Sequence, residues 1–405
     1  MRNRLNVAAI VALSLLAGGC SWFSWLPWVD SKPKPDEPAD LTSYKAQVTI
    51  SQRWSASIGS GLGKKYVRLT PYVVADRVVA ADAYGNVEAH DRFKGKRLWK
   101  TRVGRPHSST FGSGKKDTFL AGGVGGGEGL VLVGTTRAEV IALGVADGKE
   151  KWRTQVSSEV LSAPTAGQSL AYAATSDGRL VALDAGTGEQ KWTYDTQVPP
   201  LSLRGTSAPV FDHGVVVTGF ANGKVGAFRA ASGEPLWDQR IMLPQGRSEL
   251  ERIVDVDGTP IFRPTAIFAA SFQGRVKALR PSDGSVIWEH ETSTSVDLAE
   301  SFGHVYVVNQ DDDVLAFDER NGDVAWEQRG LFRRKLSPPV AFDNYVVVAD
   351  SDGYVHVLAA SDGRFLGRKK VDGSGIRSPM IEADGLVYLL GNSGKLAALS
   401  IAPKK

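Results

Sequence analysis

Residues 177–192 read DGRLVALDAGTGEQKW, and this stretch decides the fold. It contains a Gly turn, a short apolar run, a second Gly turn and a Trp. Short apolar runs bounded by Gly and Asp are typical of β-strands, because helices need longer runs with a period near 3.6 residues. The pattern predicts a strand at 179–185, a turn at 186–189 and a second, outer strand at 190–196.

The same pattern recurs eight times from residue 84 onward. In six copies the first aliphatic residue stands twelve residues before a Trp, and these are Trp99, Trp152, Trp192, Trp237, Trp288 and Trp326. The seventh copy has Gly367 in the Trp position. A period of about 38–53 residues is the range of four-stranded propeller blades. We expect each indole to cover the neighbouring blade, because one blade face cannot bury itself.

The last copy runs out before its turn and Trp, whereas residues 47–57, QVTISQRWSAS, carry Trp54 without preceding partner strands. We therefore predict that this N-terminal strand completes the last blade, which closes the ring and removes its free edges. The expected fold is all-β, an eight-bladed β-propeller with four-stranded blades over residues 46–403. Two four-bladed domains are the alternative, but they would need a central linker and none is visible.

The chain begins with a basic segment, an eleven-residue apolar run and AGGC ending at Cys20. This is the pattern of a secretory signal, and it is too short to span a bilayer. It resembles a lipoprotein signal cut after residue 19, with Cys20 acylated and Ser21 favouring the outer membrane. An ordinary signal with a chance Cys is the alternative. Residues 20–45 are rich in Trp, Pro and charge and predict a tether, whose tryptophans could lie on lipid or on the folded body.

Composition excludes several classes of function. The net charge of +4 is too weak to predict nucleic-acid binding. The single Cys permits no internal disulfide, and no histidines stand at a metal-ligand spacing. The Gly-rich run at 122–129 precedes a strand and opens no helix, so it is not a dinucleotide loop. We therefore predict no catalytic residues, no cofactor and no metal.

Two long connectors distinguish one face of the predicted ring. The Trp-to-next-repeat distance is 33 residues after Trp192 and 39 after Trp237, and these connectors belong to successive blades. One contains PPLSLRG and the other MLPQGRSELERIVDVDG. Together they place apolar side chains beside charged ones, the composition of a binding patch. The alternative is that the leucines fold inward under the loop.

The repeat resembles that of pyrroloquinoline quinone dehydrogenases, which implies a vicinal Cys pair and a calcium site with carboxylates. This chain has one Cys, at the predicted lipidation site, and no long insertions to cover a cofactor. The leader, the tether, the repeats and the runs SEVLSAP, LSLRGTSAP and PQGRSELERIVDVDG together resemble the BamB family of outer membrane protein assembly factors, over essentially the whole mature chain. That resemblance implies a non-enzymatic scaffold on the periplasmic face of the outer membrane. It also implies binding to the POTRA domains of the barrel subunit BamA and assistance to the insertion of outer membrane β-barrel proteins. Unfolded outer membrane proteins are a possible further partner, and the alternatives are a quinoprotein dehydrogenase or a glycan-binding periplasmic propeller.

Five residues correspond to the family's partner-binding runs, and they are Leu201, Leu203, Arg204, Asp255 and Asp257. We expect the two leucines to insert into a partner groove and the arginine to set the register through a carboxylate or carbonyl. The two aspartates either meet the partner or hold the arginine in place, and the sequence does not separate these roles.

Overall fold

The computed structural model describes residues 37–63, 65–104 and 120–404. Throughout these ranges the regular structure is β-strand, without a single α-helix. No helix in the described ranges is long and apolar enough to cross a lipid bilayer. The predicted signal, Cys20, most of the tether and most of the insertion at 104–127 lie outside the described residues.

The strands form eight four-stranded units within the described residues, and we number the units in chain order. Unit 1 consists of β2 (Tyr72–Val74), β3 (Arg77–Ala81), β4 (Asn86–Asp91) and β5 (Arg97–Arg102), and unit 2 consists of β6 (Leu120–Gly127), β7 (Leu130–Thr135), β8 (Glu139–Gly144) and β9 (Glu150–Gln155). Unit 3 consists of β10 (Thr165–Gly167), β11 (Leu170–Ala174), β12 (Arg179–Asp184) and β13 (Gln190–Asp195), and unit 4 consists of β14 (Val210–Asp212), β15 (Val215–Gly219), β16 (Lys224–Arg229) and β17 (Pro235–Arg240).

Units 5 to 7 follow the same order along the chain. Unit 5 consists of β18 (Ile261–Phe262), β19 (Ile267–Ala270), β20 (Arg275–Leu279) and β21 (Val286–Glu291). Unit 6 consists of β22 (Ala299–Ser301), β23 (His304–Val308), β24 (Val314–Asp318) and β25 (Val324–Gln328). Unit 7 consists of β26 (Val340–Phe342), β27 (Tyr345–Ala349), β28 (Tyr354–Ala359) and β29 (Phe365–Lys370). Unit 8 joins the two ends of the chain, and it consists of β30 (Ile381–Ala383), β31 (Leu386–Leu390), β32 (Lys395–Pro403) and β1 (Val48–Ser57).

Strand β1 closes the arrangement as predicted. It pairs antiparallel with β32 along its whole length, from Val48 opposite Pro403 to Ser57 opposite Lys395. The first strand of unit 1, β2, also contacts both β6 and β30, so the units from the two chain ends meet. The predicted all-β, propeller-like fold is therefore confirmed. The count of eight blades stays a prediction, because units 2 and 3 share one eight-stranded sheet.

The Gly-rich run explains that shared sheet. Most of it lies in β6, and Gly126 pairs in parallel with Thr165 of β10. A Cβ on Gly125 would lie 2.0 Å from the carbonyl oxygen of Pro164, so only glycine lets the two units approach this closely. The glycines therefore serve packing between units.

A belt of tryptophans joins successive units. Each indole N–H donates a hydrogen bond of 2.7–3.0 Å to a backbone carbonyl of the next unit, and the residues concerned are Trp54, Trp99, Trp152, Trp192, Trp237, Trp288 and Trp326. The ring also lies on a turn glycine of that unit. A Cβ on Gly284, for example, would lie 2.5 Å from Cε3 of Trp237. The constant spacing in the repeat thus places an indole on the hairpin between the third and fourth strands of the neighbouring unit.

The seventh repeat lacks its Trp for a geometric reason. A Trp there would need the hairpin between the third and fourth strands of unit 8. Those strands are β32 and β1, which come from opposite ends of the chain, so no turn joins them. At the Trp position, Gly367 instead faces β1, and a Cβ would lie 2.6 Å from Cγ2 of Val48.

A short N-terminal segment, residues 39–47, lies against units 6 and 7. The N–H of Ala39 donates to the carbonyl of Phe332 at 2.9 Å, and Arg334 Nη1 donates to the carbonyl of Ala39 at 2.9 Å. The ring of Tyr44 stacks on Phe365 with centroids 5.4 Å apart. The end of the segment that the sequence predicts as tether is therefore docked on the folded body.

Candidate binding surface on three connectors

Three connectors between successive units pack side by side. The first connector is residues 156–164, the second is 196–209 and the third is 241–260. Serine and threonine side chains tie them together, since Ser162 Oγ donates to the carbonyl of Ser207 at 3.1 Å and Ser207 Oγ donates to the carbonyl of Gly258 at 3.2 Å. The second and third connectors are thus neighbours, and the first connector joins them as a third wall.

The two leucines of the second connector differ in exposure. Leu201 is 39% exposed, although it is a large apolar side chain. Leu203 is half-buried and lines a cleft of about 290 Å³ together with Phe220. The inward-folded alternative therefore does not describe Leu201, whereas Leu203 is half-buried on the wall of the cleft.

Arg204 is held by a residue that the sequence did not single out. Its side chain is 63% exposed, and its Nη2 lies 2.8 Å from Oε1 of Glu159 on the first connector. Asp255 and Asp257 make no hydrogen bond or ion pair with it in the described part of the chain. Glu159 lies in the run SEVLSAP, one of the three runs that carry the family resemblance, and nothing in the sequence indicates that it meets Arg204, which is 45 positions away.

Asp255 fixes the backbone of the second connector. Its side chain is fully buried, and its Oδ2 accepts the N–H of Leu203 at 2.5 Å. Among the described residues, its Oδ1 is buried without a hydrogen-bond partner. Burial raises the pKa of Asp255 to about 7, and the negative charge of Asp257 adds to the shift, because both effects disfavour the carboxylate.

Asp257 packs against the second connector and also lines a large cavity, which we call the central cavity. A Cβ on Gly205 would lie 2.6 Å from its Oδ2, so the connector backbone packs directly against this carboxylate. Burial raises the pKa of Asp257 to about 6, while Arg68 opposes the shift and Asp297 adds to it. The central cavity has a volume of about 1030 Å³, and both Arg204 and Asp257 lie on its lining.

The described residues contain no group of three or more His, Cys, Asp or Glu side chains placed to hold a metal ion. Cys20, the proposed lipidation residue, lies outside them. At the connectors, the side chains of Leu201 and Arg204 are exposed. The backbone that carries them is held by Asp255 at Leu203 and packs against Asp257 at Gly205. Such a surface suits recognition of another molecule by contact.

The fold and the Trp repeat define the class first: this is a propeller-like protein built on repeats of the pyrroloquinoline-quinone type. The family model described as "Outer membrane protein assembly factor BamB" matches residues 83–328. A Pseudomonas aeruginosa protein of that name is 42% identical over 394 residues, which cover 97% of this chain and 98% of the relative. The chain belongs to the BamB family of outer membrane protein assembly factors.

The structural comparisons agree with that assignment. The crystal structure of BamB from Moraxella catarrhalis has a TM-score of 0.77 and 26% identity, and the match covers 87% of this chain and all of that one. A quinohemoprotein alcohol dehydrogenase from Comamonas testosteroni has a TM-score of 0.66 at 16% identity, covering 86% of this chain and 76% of the enzyme. This second likeness shows a shared fold alone. The relatives that share the sequence are named as assembly factors and not as enzymes.

Proposed function

We propose that this protein is a non-enzymatic scaffold of the β-barrel assembly (BAM) complex. In this proposal it binds the POTRA domains of BamA through the second connector and so assists the insertion of outer membrane β-barrel proteins. Membership of the BamB family supports a role in outer membrane protein assembly. The single observation that supports the site is an exposed Leu201 beside an exposed Arg204, on a loop whose backbone is held at Leu203 by Asp255.

A fixed loop suits recognition because binding then orders fewer groups. Immobilising a flexible side chain costs about 0.5–1.5 kcal/mol, so a connector that is already ordered keeps more of its contact energy. Leu201 supplies an apolar anchor and Arg204 supplies a planar donor for a carboxylate or carbonyl. Asp255 is fully buried, so it acts on the partner through the backbone of Leu203.

We further propose that residues 1–19 are removed, that Cys20 is acylated, and that the protein lies on the periplasmic face of the outer membrane. Residues 20–45 form the tether in this proposal and residues 46–403 form the propeller. The sequence AGGC and the apolar run before it support the anchor. Mass spectrometry of the mature N-terminus checks it, and an unmodified Cys20 would contradict it.

The binding proposal is tested by titrating purified POTRA domains of BamA against the wild type and single alanine variants. We expect Leu201→Ala and Arg204→Ala each to weaken binding about tenfold to a hundredfold, which corresponds to about 1–3 kcal/mol at a central anchor. Their melting temperatures should stay close to the wild type, because both side chains project into solvent.

Leu98→Ala is the matched control. Leu98 is 42% exposed on the outer strand β5, and Leu201 is 39% exposed on the connector. The two substitutions remove the same apolar group at nearly the same exposure, so only the connector variant should lose affinity. Full affinity in folded Arg204→Glu would remove this connector from the binding site.

A further inference from the structure

Glu159 connects the first and second connectors through Arg204. Its carboxylate lies 2.8 Å from Nη2 of Arg204, and both side chains reach solvent, with exposed fractions of 35% and 63%. The two residues are 45 positions apart in the chain. This ion pair lies on the surface through which we propose that the protein binds its partner, so its role bears directly on recognition.

The backbone that carries Glu159 is rigidly placed. The next residue, Val160, is fully buried, and its N–H donates to the carbonyl of Thr135 at 3.1 Å. The carbonyl of Glu159 itself accepts the N–H of Ser176 at 2.9 Å. The carboxylate therefore projects from a backbone that these two hydrogen bonds hold in place.

Arg204 is the more exposed member of the pair. An arginine side chain has many rotamers, and about 2 kcal/mol of side-chain entropy can be lost when one is selected. The adjacent backbone is already fixed, because the N–H of Leu203 is bound by Asp255. Glu159 binds one end of the guanidinium, and the remaining N–H groups of Arg204 have no hydrogen-bond partner in the described part of the chain. Because the side chain is 63% exposed, these groups are accessible to an acceptor on another molecule.

We infer that Glu159 is a positioning residue for Arg204, which selects the rotamer that presents the guanidinium to an acidic group on the partner. This inference rests on the proposed function of the second connector. Exposed ion pairs contribute little to folding, so the pair hardly affects stability. Its effect appears in binding, because the partner then meets an arginine whose orientation is already selected.

The test is a double-mutant cycle on affinity for purified POTRA domains of BamA, with Glu159→Ala, Arg204→Ala and the double variant. We expect Glu159→Ala to weaken binding about two- to fivefold, the range for an exposed ion pair. In the Arg204→Ala background the same change should have no effect, because the arginine through which it acts is gone. Melting temperatures should not move.

Two further measurements separate positioning from a merely structural role. Glu159→Gln keeps an oxygen that can accept the Nη2 hydrogen bond, so it should lose less affinity than Glu159→Ala. Raising the salt concentration should reduce the difference between wild type and Glu159→Ala, because solvent ions screen an exposed pair. A general loosening of the loop would show neither behaviour and would lower the melting temperature instead.

The outcomes distinguish the two proposals. If Arg204→Ala binds as tightly as the wild type, the proposed function of the second connector fails and the role of Glu159 falls with it. If Arg204→Ala weakens binding and Glu159→Ala does not, only the positioning role is overturned. If Glu159→Ala weakens binding equally in both backgrounds, Glu159 contacts the partner itself, and the positioning role is again overturned.

Discussion

The tryptophan belt and the connector surface differ in role: the belt stabilises the fold, whereas we propose that the connector surface binds a partner. In the belt, the same contact is repeated between units: a buried or half-buried indole, a turn glycine and one hydrogen bond of 2.7–3.0 Å. At the connectors each contact occurs once, and the surface includes an exposed leucine, an exposed arginine and a buried carboxylate with a raised pKa. The belt contributes stability through apolar burial, whereas the connectors keep groups in positions that cost stability.

This difference predicts which substitutions should change stability and which should change binding affinity. A substitution in the belt should lower the free energy of unfolding and leave the affinity of the remaining folded protein unchanged. A substitution at the exposed connector groups should change affinity and leave stability unchanged. Substitutions of buried groups at the connectors can change both stability and affinity, because these groups hold a binding loop and are themselves costly to bury. Three changes test this division.

The largest expected effect is on stability, at the centre of the belt. Trp237→Ala should lower the free energy of unfolding by about 3–5 kcal/mol, because it removes a buried indole and leaves a cavity over the turn of the next unit. Chemical denaturation measures the loss. Leu236→Ala is the matched control, since Leu236 directly precedes Trp237 on the same strand and is 42% exposed. The control should stay within about 0.5 kcal/mol of the wild type.

A second change separates packing in the belt from backbone strain. Gly284 and Gly303 both have φ of +71°, but a Cβ on Gly284 would lie 2.5 Å from Trp237, whereas a Cβ on Gly303 would meet nothing within 4 Å. Gly303→Ala should cost about 1 kcal/mol from the left-handed backbone alone. Gly284→Ala should cost about 2–3 kcal/mol, because the indole must also move. Equal losses in thermal unfolding would mean that the glycines of the belt serve the turn and not the Trp.

The smallest effect concerns a buried connector group and depends on pH. Because the folded-state pKa of Asp255 is about 7, the folded protein holds a proton there at pH values where the unfolded chain has lost it. Stability contributed by this group therefore falls as pH rises from about 4 to about 7 and is constant above that. Asp255→Asn keeps an oxygen for the N–H of Leu203 and does not titrate.

Relative to the wild type, Asp255→Asn should gain about 1–2 kcal/mol of stability between pH 6 and pH 8, measured as melting temperature in matched buffers. Affinity for the partner should be retained, because the amide still holds the loop. A folded Asp255→Asn that binds poorly would show that the carboxylate charge itself is needed at the interface.

The frame was largely predictable from the sequence because its rule is local and repeated. The strands expected at 179–185 and 190–196 occur as β12 (Arg179–Asp184) and β13 (Gln190–Asp195). The alanine in the repeat also has a reason, since Ala182 lies directly opposite Trp192 in the hairpin. A large indole on one strand needs a small residue on the other. In the seventh repeat the sizes are exchanged, and Val357 lies opposite Gly367.

The connector surface was predictable only in part. Residue types suggested a patch at Leu201 and Arg204, but contacts between distant loops depend on how units are placed beside one another. Spacing along the chain carries no signal that Glu159 reaches Arg204 or that Asp255 binds the backbone of Leu203. The sequence left both roles of the aspartates open for this reason. Their burial and raised pKa values arise from three-dimensional packing, which no local pattern encodes.

The docked segment at 39–47 also limits how far the binding surface can travel. If Cys20 carries the anchor as proposed, only residues 20–38 remain as a leash, and about 19 residues of extended chain reach at most roughly 65 Å. A shorter leash confines the protein to a smaller volume above the membrane. If the proposed partner also lies in that membrane, the effective concentration of the connector surface near it would rise accordingly, and the contacts of Ala39 and Tyr44 would then favour binding without reaching the partner.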